Sequence, residues 1–224
     1  MRDQPLFLSR LRVTPSSRAA RKFIADAYQT HRNVCDAFDR LVAGRDRVLW
    51  RWEPNRSAES ILLVQSTVEP DWCRLNPELL ASEPEVKDLR HLRDAFTEGR
   101  RLAFALTANP SRKIDTRSAP DGTRRNGRRV PLRREAAQLE WLQRQAVRAG
   151  FALPDNQLGT PQVRIGAGVT LTGRRGHQRI TVEAVRFDGA LVVTDADGFA
   201  SAIRSGIGPA RAFGCGLLTV APLR

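Results

Sequence analysis

The chain opens on a short apolar run, "PLFLSRLRV", rich enough in Leu, Phe and Val to predict a strand. "TPSS" follows as a turn and a helix start, with Ser16 or Ser17 as the cap of a helix running to about Val42. That helix is amphipathic: Ile24, Ala27, Val34 or Cys35, Phe38 and Leu41 recur at the spacing that puts them on one face. "RVLWRWEP" and "SILLVQSTV" predict two strands joined by the polar loop "EPNRSAE". "PDWCRLNPELLASEP" is punctuated by proline and leaves room for only a short helix, and "EVKDLRHL" fits either a strand or a helix. The order β-α-β-β-α-β is the split βαβ, ferredoxin-like pattern.

The pattern recurs. "RRLAFALTANP" predicts a strand, and Ser111 to Arg134 a long basic loop of the kind that is functional or mobile in compact domains. "EAAQLEWLQRQAVRAGF" predicts a helix with Leu139, Leu142 and Ala146 on one face and Gly150 as its stop. "QVRIGAGVTLT" and "RITVEAVRF" predict strands joined by the tip "GRRGHQ", and Asp188-Gly189 a turn before the strand "ALVVT". "DADGFASAIRS" predicts a short helix capped by Thr194 or Asp195, and a Gly-rich loop, "GIGPARAFGCG", leads into a last strand, "LLTVAPLR". The expected fold is α+β: two tandem ferredoxin-like domains, residues 1–97 and 98–224, with the boundary near Thr97 to Arg100.

With 224 residues, 41% of them hydrophobic, the chain has room for one large domain or two small ones. No run approaches the roughly 20 apolar residues of a membrane span, and "MRDQPLFLSRLRV" lacks the pattern of a signal peptide. Cys35, Cys73 and Cys215 are odd in number and far apart, which predicts free thiols in a reducing, cytoplasmic setting. No Cys or His pair has metal-ligand spacing, and the expected cofactor and metal content is none. The net charge is +13. Arginine supplies nearly all of the positive charge, since the only lysines are Lys22, Lys87 and Lys113. A GC-rich genome favours arginine over lysine but does not create an excess over acids, so the charge predicts a polyanionic partner, nucleic acid first.

Tyr28, the only tyrosine, and His31, one of three histidines, stand three residues apart on the first predicted helix, where side chains are neighbours. Such a pair at the edge of an apolar stripe serves either as packing, with its polar atoms in water, or as a pair of proton-handling groups on a cleft. RNA carries its own nucleophile, the 2′-OH. Cutting it without metal requires aligning that hydroxyl with phosphorus, moving two protons and neutralising the phosphorane with cations. Arg32 is adjacent, and Arg18, Arg21 and Lys22 lie earlier on the helix. No acidic D-x-D cluster accompanies the pair, which argues against a two-metal nuclease. The tip "GRRGHQR" carries Arg174, Arg175, His177 and Arg179; it is either a solvated hairpin or a basic ribbon that grips duplex RNA. Arg112, Lys113, Arg124, Arg125, Arg128 and Arg129 make the long loop a second basic surface or merely a soluble loop. Gly206, Gly208, Gly214 and Gly216 either bring backbone N–H groups to phosphate or allow close packing against the last strand.

Four stretches, "LFLSRLRVTP", "DAYQTHRNVCDAF", "FALTANP…NGRRVPL…QLEWL" and "GIGPARAFGCGLLTVAPL", span the chain. Together they resemble the CRISPR repeat-RNA endonucleases of type I-E systems, the CasE subunits of the Cascade complex. The resemblance implies tandem ferredoxin-like domains and metal-independent cleavage of repeat RNA at the 3′ base of its stem-loop. It further implies 2′,3′-cyclic phosphate and 5′-OH ends, retention of the stem-loop and assembly with the other Cascade subunits. The family's catalytic Tyr and His fall on Tyr28 and His31, and its basic hairpin on Arg174, Arg175 and Arg179. The expected RNA-binding set is Arg18, Arg21, Lys22, Arg32, Lys113, Arg128, Arg129, Arg174, Arg175, Arg179, Gly206 and Gly208, with no membrane partner. The competing reading is a non-catalytic RNA-binding subunit in which Tyr28 and His31 are structural.

Overall fold

The computed structural model describes residues 5–15, 17–42, 45–53, 59–114, 128–175 and 177–223, with Arg128 and Arg175 described by their backbone alone. The predicted cap Ser16, most of the loop "EPNRSAE", and Arg124 and Arg125 lie outside the described residues.

The first strand, β1 (Phe7–Val13), turns Phe7, Ser9, Leu11 and Val13 inward on a period of two. Buried Ser9 is satisfied by the Trp72 indole, whose Nε1 donates to its Oγ at 3.0 Å. The predicted single helix is two, α1 (Arg18–Ala25) and α2 (Ala27–Asp36), broken at Asp26. Asp26 is extended (φ −115°, ψ 106°), and its Oδ1 accepts from the N–H groups of Tyr28 at 2.9 Å and Gln29 at 3.0 Å. Its carboxylate thus caps a new helix where the apolar spacing alone reads as continuous. The stripe ends at Phe38, for Leu41 and Val42 lie beyond α2 and are exposed.

Strands β2 (Val48–Glu53) and β3 (Ser60–Ser66) form as expected. The predicted short helix near Pro77 is instead two 3-10 turns, Trp72–Arg74 and Pro77–Leu79, because the proline-rich stretch cannot supply a run of N–H donors. The ambiguous stretch resolves into a strand, β4 (Glu85–Asp88), and a 3-10 turn, Leu92–Ala95. The sheet runs β2-β3-β1-β4, antiparallel throughout.

In the second half β5 (Arg101–Ala108) precedes a two-stranded ribbon, β6 (Ser111–Ile114) with β7 (Arg128–Pro131), so both ends of the expected long loop are paired strands. Helix α3 (Glu135–Arg148) stops before Gly150, whose φ of +71° suits glycine. Strand β8 (Phe151–Ala152) follows, and the expected strand over 162–172 is split into β9 (Val163–Ile165) and β10 (Val169–Arg175). Strand β11 (Gln178–Val193) runs straight through Asp188-Gly189, where a turn is expected. Gly189 serves a close crossing instead: a Cβ there would lie 2.2 Å from the Gln162 carbonyl oxygen. Helix α4 (Ala196–Ser205) is capped by Asp195, and β12 (Leu218–Pro222) ends the fold.

The second sheet is β10-β11-β5-β12, with β8 and β9 also on β11. The chain is therefore a mixed α/β protein of antiparallel sheets and few helices. Its two apolar cores draw on both halves of the sequence. One gathers Leu6 and Phe96 with Phe104, Phe151, Phe187 and Phe199. The other gathers Phe23, Val34 and Trp50 with Val182, Ala184 and Phe213. No helix among the described residues is long and apolar enough to cross a membrane.

Candidate active site

The break at Asp26 fixes where the candidate pair stands. Tyr28 is the second residue of α2 and His31 lies one turn further on, both half-buried. Thr30, between them, is fully buried and donates through its hydroxyl to the Phe23 carbonyl oxygen, fastening α2 to α1. The Cys35 sulfur sits 3.8 Å from Nε2 and 3.9 Å from Nδ1 of His31, one turn along the same helix. Burial pushes the Cys35 thiol up to about 11, so it stays protonated and adds no charge beside the ring. Burial lowers the His31 pKa, which favours the neutral imidazole at neutral pH.

Two further elements close on this helix start. Strand β10 packs on α2, and its Gly173 stands against Tyr28. A Cβ at Gly173 would lie 2.7 Å from Tyr28 Cβ, 2.9 Å from Tyr28 N and 3.0 Å from Phe213 Cε1. Phe213 belongs to a 3-10 turn, Arg211–Phe213, in the Gly-rich loop. The helix that carries Tyr28 and His31, the basic hairpin and the Gly-rich loop thus meet at one residue. The contact also fixes facing. Side chains alternate along a strand, so Arg174 leaves the ribbon on the side opposite Tyr28. Arg179 is its direct partner across the ladder, and both are exposed. Two like charges face to face cost the free ribbon stability that a polyanion restores.

The remaining predicted residues separate. Arg18, Arg21 and Lys22 are exposed on α1, and Arg32 is exposed on α2 beside His31. Lys113 and Arg129 are exposed and paired in register across β6 and β7. Arg128 pairs with Ile114 by backbone, and Arg175 pairs with Gln178. Gly206 is buried; its N–H is donated to Ala202, and a Cβ there would meet Leu49 Cδ1 at 2.8 Å. It ends α4 and packs, as the competing reading of the Gly-rich loop has it. Gly208 is half-exposed and rests on Trp141.

A family model described as "CRISPR associated protein" matches residues 6–222. The chain belongs to this family. The CRISPR-associated endoribonuclease Cse3 of Thermus thermophilus is 36% identical, over 97% of this CRISPR-associated protein and 100% of that one. The CRISPR system Cascade subunit CasE of Escherichia coli is 31% identical, over 91% and 96% of the two chains. The structure of T. thermophilus Cse3 bound to an RNA representing a pre-cleavage complex superposes with a TM-score of 0.82. It is 37% identical, over 97% of this chain and all of that one.

Two structural determinants of the site escape sequence reading. Gly173 is one; its signal is a glycine inside a strand pattern, which marks a close backbone approach. Arg51 is the other. It is 1% exposed, and its guanidinium donates to the carbonyl oxygens of Ala105 and Leu217 at 2.8 and 2.7 Å and to Thr219 Oγ1 at 2.8 Å, while pairing with Glu53. It ties β2 to β5 and β12. Gln65 makes a second tie, donating to the Ile203 carbonyl oxygen at 2.7 Å. The only hint of Arg51 is a charge inside the apolar run "VLWRW".

Proposed function

We propose that this protein is a metal-independent endoribonuclease that cuts CRISPR repeat RNA at the 3′ base of its stem-loop. It keeps the product and joins the other Cascade subunits. The observation that carries the proposal is the contact of Tyr28 with Gly173, beside Arg174, which sets the helix that bears a phenol and a neutral-leaning imidazole against the arginine-rich tip of the hairpin. The T. thermophilus relative is named an endoribonuclease and has been seen with RNA, and the E. coli relative is named a Cascade subunit. The two halves are read as tandem ferredoxin-like domains, 1–97 and 98–224, a reading supported by the order β2-β3-β1-β4 of the first sheet.

In the proposed reaction the ribose 2′-oxygen attacks the adjacent phosphorus and the 5′-oxygen leaves, giving a 2′,3′-cyclic phosphate and a 5′-OH. A neutral His31 takes the proton from the 2′-OH. The departing 5′-oxygen takes a proton from the Tyr28 phenol, directly or through a water that the phenol holds, and so leaves as the 5′-OH. The proton taken up by His31 returns to solvent and the phenol is reprotonated. Exposed cations, Arg32 on the same helix and Arg174 and Arg179 on the ribbon, hold the stem and offset its charge. Arg18, Arg21, Lys22, Lys113, Arg128, Arg129 and Arg175 belong to the same RNA-binding set.

The test uses repeat RNA carrying one 2′-deoxy residue 5′ to the scissile phosphate, in EDTA. The all-ribose RNA is expected to be cut and the deoxy RNA to bind uncut. Cutting of the deoxy RNA, or cutting only with added Mg²⁺, refutes the mechanism. Wild-type protein that binds every stem-loop repeat and cuts none is a binding subunit instead.

A further inference from the structure

Beyond the hairpin, a groove of about 670 Å³ runs between α3, the β6/β7 ribbon and the Gly-rich loop. Five arginines line it: Arg112 and Arg129 from the ribbon, Arg144 and Arg148 from α3, and Arg211 from the 3-10 turn. Arg144 and Arg148 are one turn apart and exposed on α3, on the side where Trp141 forms the groove floor, while Leu142 and Ala146 are buried on the helix's inner face. Gly208 forms a wall: its φ is +79°, and a Cβ there would lie 2.9 Å from Trp141 Cζ2, so backbone rests directly on the indole. Among the described residues, the only carboxylate paired with any of the five is Glu140, 3.7 Å from Arg144 with both side chains more than half exposed. Such a pair offsets little charge. Arg211 is half-buried, and desolvation together with the nearby Arg47 charge lowers its pKa. The five come from four separate stretches of sequence, so the fold gathers them; an arginine-rich composition alone would scatter them over the surface.

The groove does not end at the loop. A neighbouring cavity of about 490 Å³ shares Ser111, Arg129, Pro209 and Ala210 with it and continues to Arg133 and to Thr181, Val182 and Glu183 of β11. Glu183, the acid on this stretch, accepts from the Thr170 hydroxyl across the hairpin at 3.1 Å. Two residues before Thr181 is Arg179 of the tip, and three residues after Ala210 is Phe213, which stands with Gly173 over Tyr28. The groove therefore reaches from the outer end of α3 to β11, two residues short of Arg179 of the tip.

We propose that this groove is a phosphodiester track, which holds a second segment of the RNA backbone by charge and independently of base sequence. The proposal rests on the RNA reading above and adds Arg112, Arg144, Arg148 and Arg211 to the surface that holds the substrate. An acidic protein is the other polyanion of the right sign. The lining favours RNA, because it offers guanidinium groups, Ser111, Gln145 and backbone, with Trp141 only 5% exposed. The apolar centre of a protein interface is missing from it.

The experiment compares wild type with the triple variant Arg112→Gln, Arg144→Gln, Arg148→Gln, all exposed positions outside the Tyr28 junction, after a thermal melt confirms that both fold. Affinity for repeat RNA is measured across a salt series, and cleavage of bound RNA in single turnover. The expected result is a salt slope shallower by about 0.7–0.9 for each lost phosphate contact. Affinity at physiological salt should weaken by about tenfold or more, with the cleavage rate of saturated complex unchanged. Lysine at the same three positions should restore the slope. Unchanged affinity and slope, in a wild type that binds and cuts, overturn the track. Unchanged RNA binding with lost assembly into the larger complex also overturns it and makes the groove a protein-docking face. A wild type that binds no repeat RNA overturns the proposed function and the track together.

Discussion

Replacing Gly173 by alanine tests whether the hairpin is registered on the helix that carries Tyr28 and His31. Gly173 has no positive φ, so the effect of a methyl group there is steric. The added Cβ would meet Tyr28 Cβ at 2.7 Å and Tyr28 N at 2.9 Å, where ordinary contact begins at 3.4 Å. The shortfall is about 0.7 Å, and two of the three nearest atoms are the Tyr28 backbone nitrogen and Cβ, both bonded to the helix Cα, and neither swings aside. The ribbon must move instead, carrying Arg174 and Arg179 with it. Overpacking of this kind costs about 1–3 kcal/mol. A misplacement approaching 1 Å at a reaction centre costs on the order of 10²-fold in rate. The expected phenotype is therefore a folded, RNA-binding protein whose single-turnover cleavage is slower by roughly ten- to a hundredfold. Gly168 is the control, because a Cβ there meets nothing within 4 Å; Gly168→Ala should cut normally and melt at or slightly above the wild-type temperature. Wild-type cleavage by Gly173→Ala, measured with protein in excess over RNA, would refute the argument that hairpin position and the Tyr28 site are coupled.

Three further outcomes are expected. Burial holds the folded-state His31 pKa below its unfolded value of about 6.5. The unfolded chain then binds the extra proton first, and the stability associated with His31 is present above about pH 6.5 and lost as pH falls through the folded pKa. Urea midpoints for wild type should drop over that window more than those of His31→Gln, and the acid limb of kcat/KM should also fall below pH 6.5; a limb above it would show a raised pKa and contradict the burial argument. Arg51→Met should destabilise by about 3–5 kcal/mol, since it takes the guanidinium donor from the Leu217 and Ala105 carbonyl oxygens and removes a cation paired with Glu53. For a chain of this length that lowers the melting temperature by roughly 6–20 °C; a melt within a degree or two of wild type would mean the buried guanidinium is dispensable. With RNA in tenfold excess the protein should give one burst of product equal to its own concentration, then almost none, with the slow phase sped by salt because the retained contacts are to phosphate; linear turnover without a burst would show free product release.

Periodicity locates most strands and the two long helical segments, because burial on one face leaves its mark in the apolar spacing whatever the tertiary fold. It fails where a polar side chain or a crossing backbone decides the outcome. The break between α1 and α2 depends on what the Asp26 carboxylate accepts, and aspartate inside a helical pattern is ordinarily a surface residue. The straight run of β11 through Asp188-Gly189 depends on a backbone that crosses it some 26 residues earlier in sequence, at Gln162. Both signals read locally as something else: a solvated helix position and a hairpin turn.

The site divides in the same way. Tyr28 and His31 are legible because three-residue spacing makes neighbours on any helix. The tip arginines are legible because a hairpin keeps near neighbours together. What the sequence cannot express is that the two are packed together, since 145 residues separate Tyr28 from Gly173 and the contact between them is made by the absence of a side chain. The ties that hold it are equally non-local: Arg51 reaches Ala105 and Leu217, and Gln65 reaches Ile203. Both lock the sheet that carries α1 and α2 to the half that supplies the hairpin and the Gly-rich loop. Groups from two halves act together on one phosphate only if their separation is fixed to a fraction of an ångström, and buried donors with carbonyl partners are among the few devices that fix it. The position of Arg51 in the interior, costly for a lone cation, is thus explained by the placement of Tyr28 against the hairpin as much as by stability.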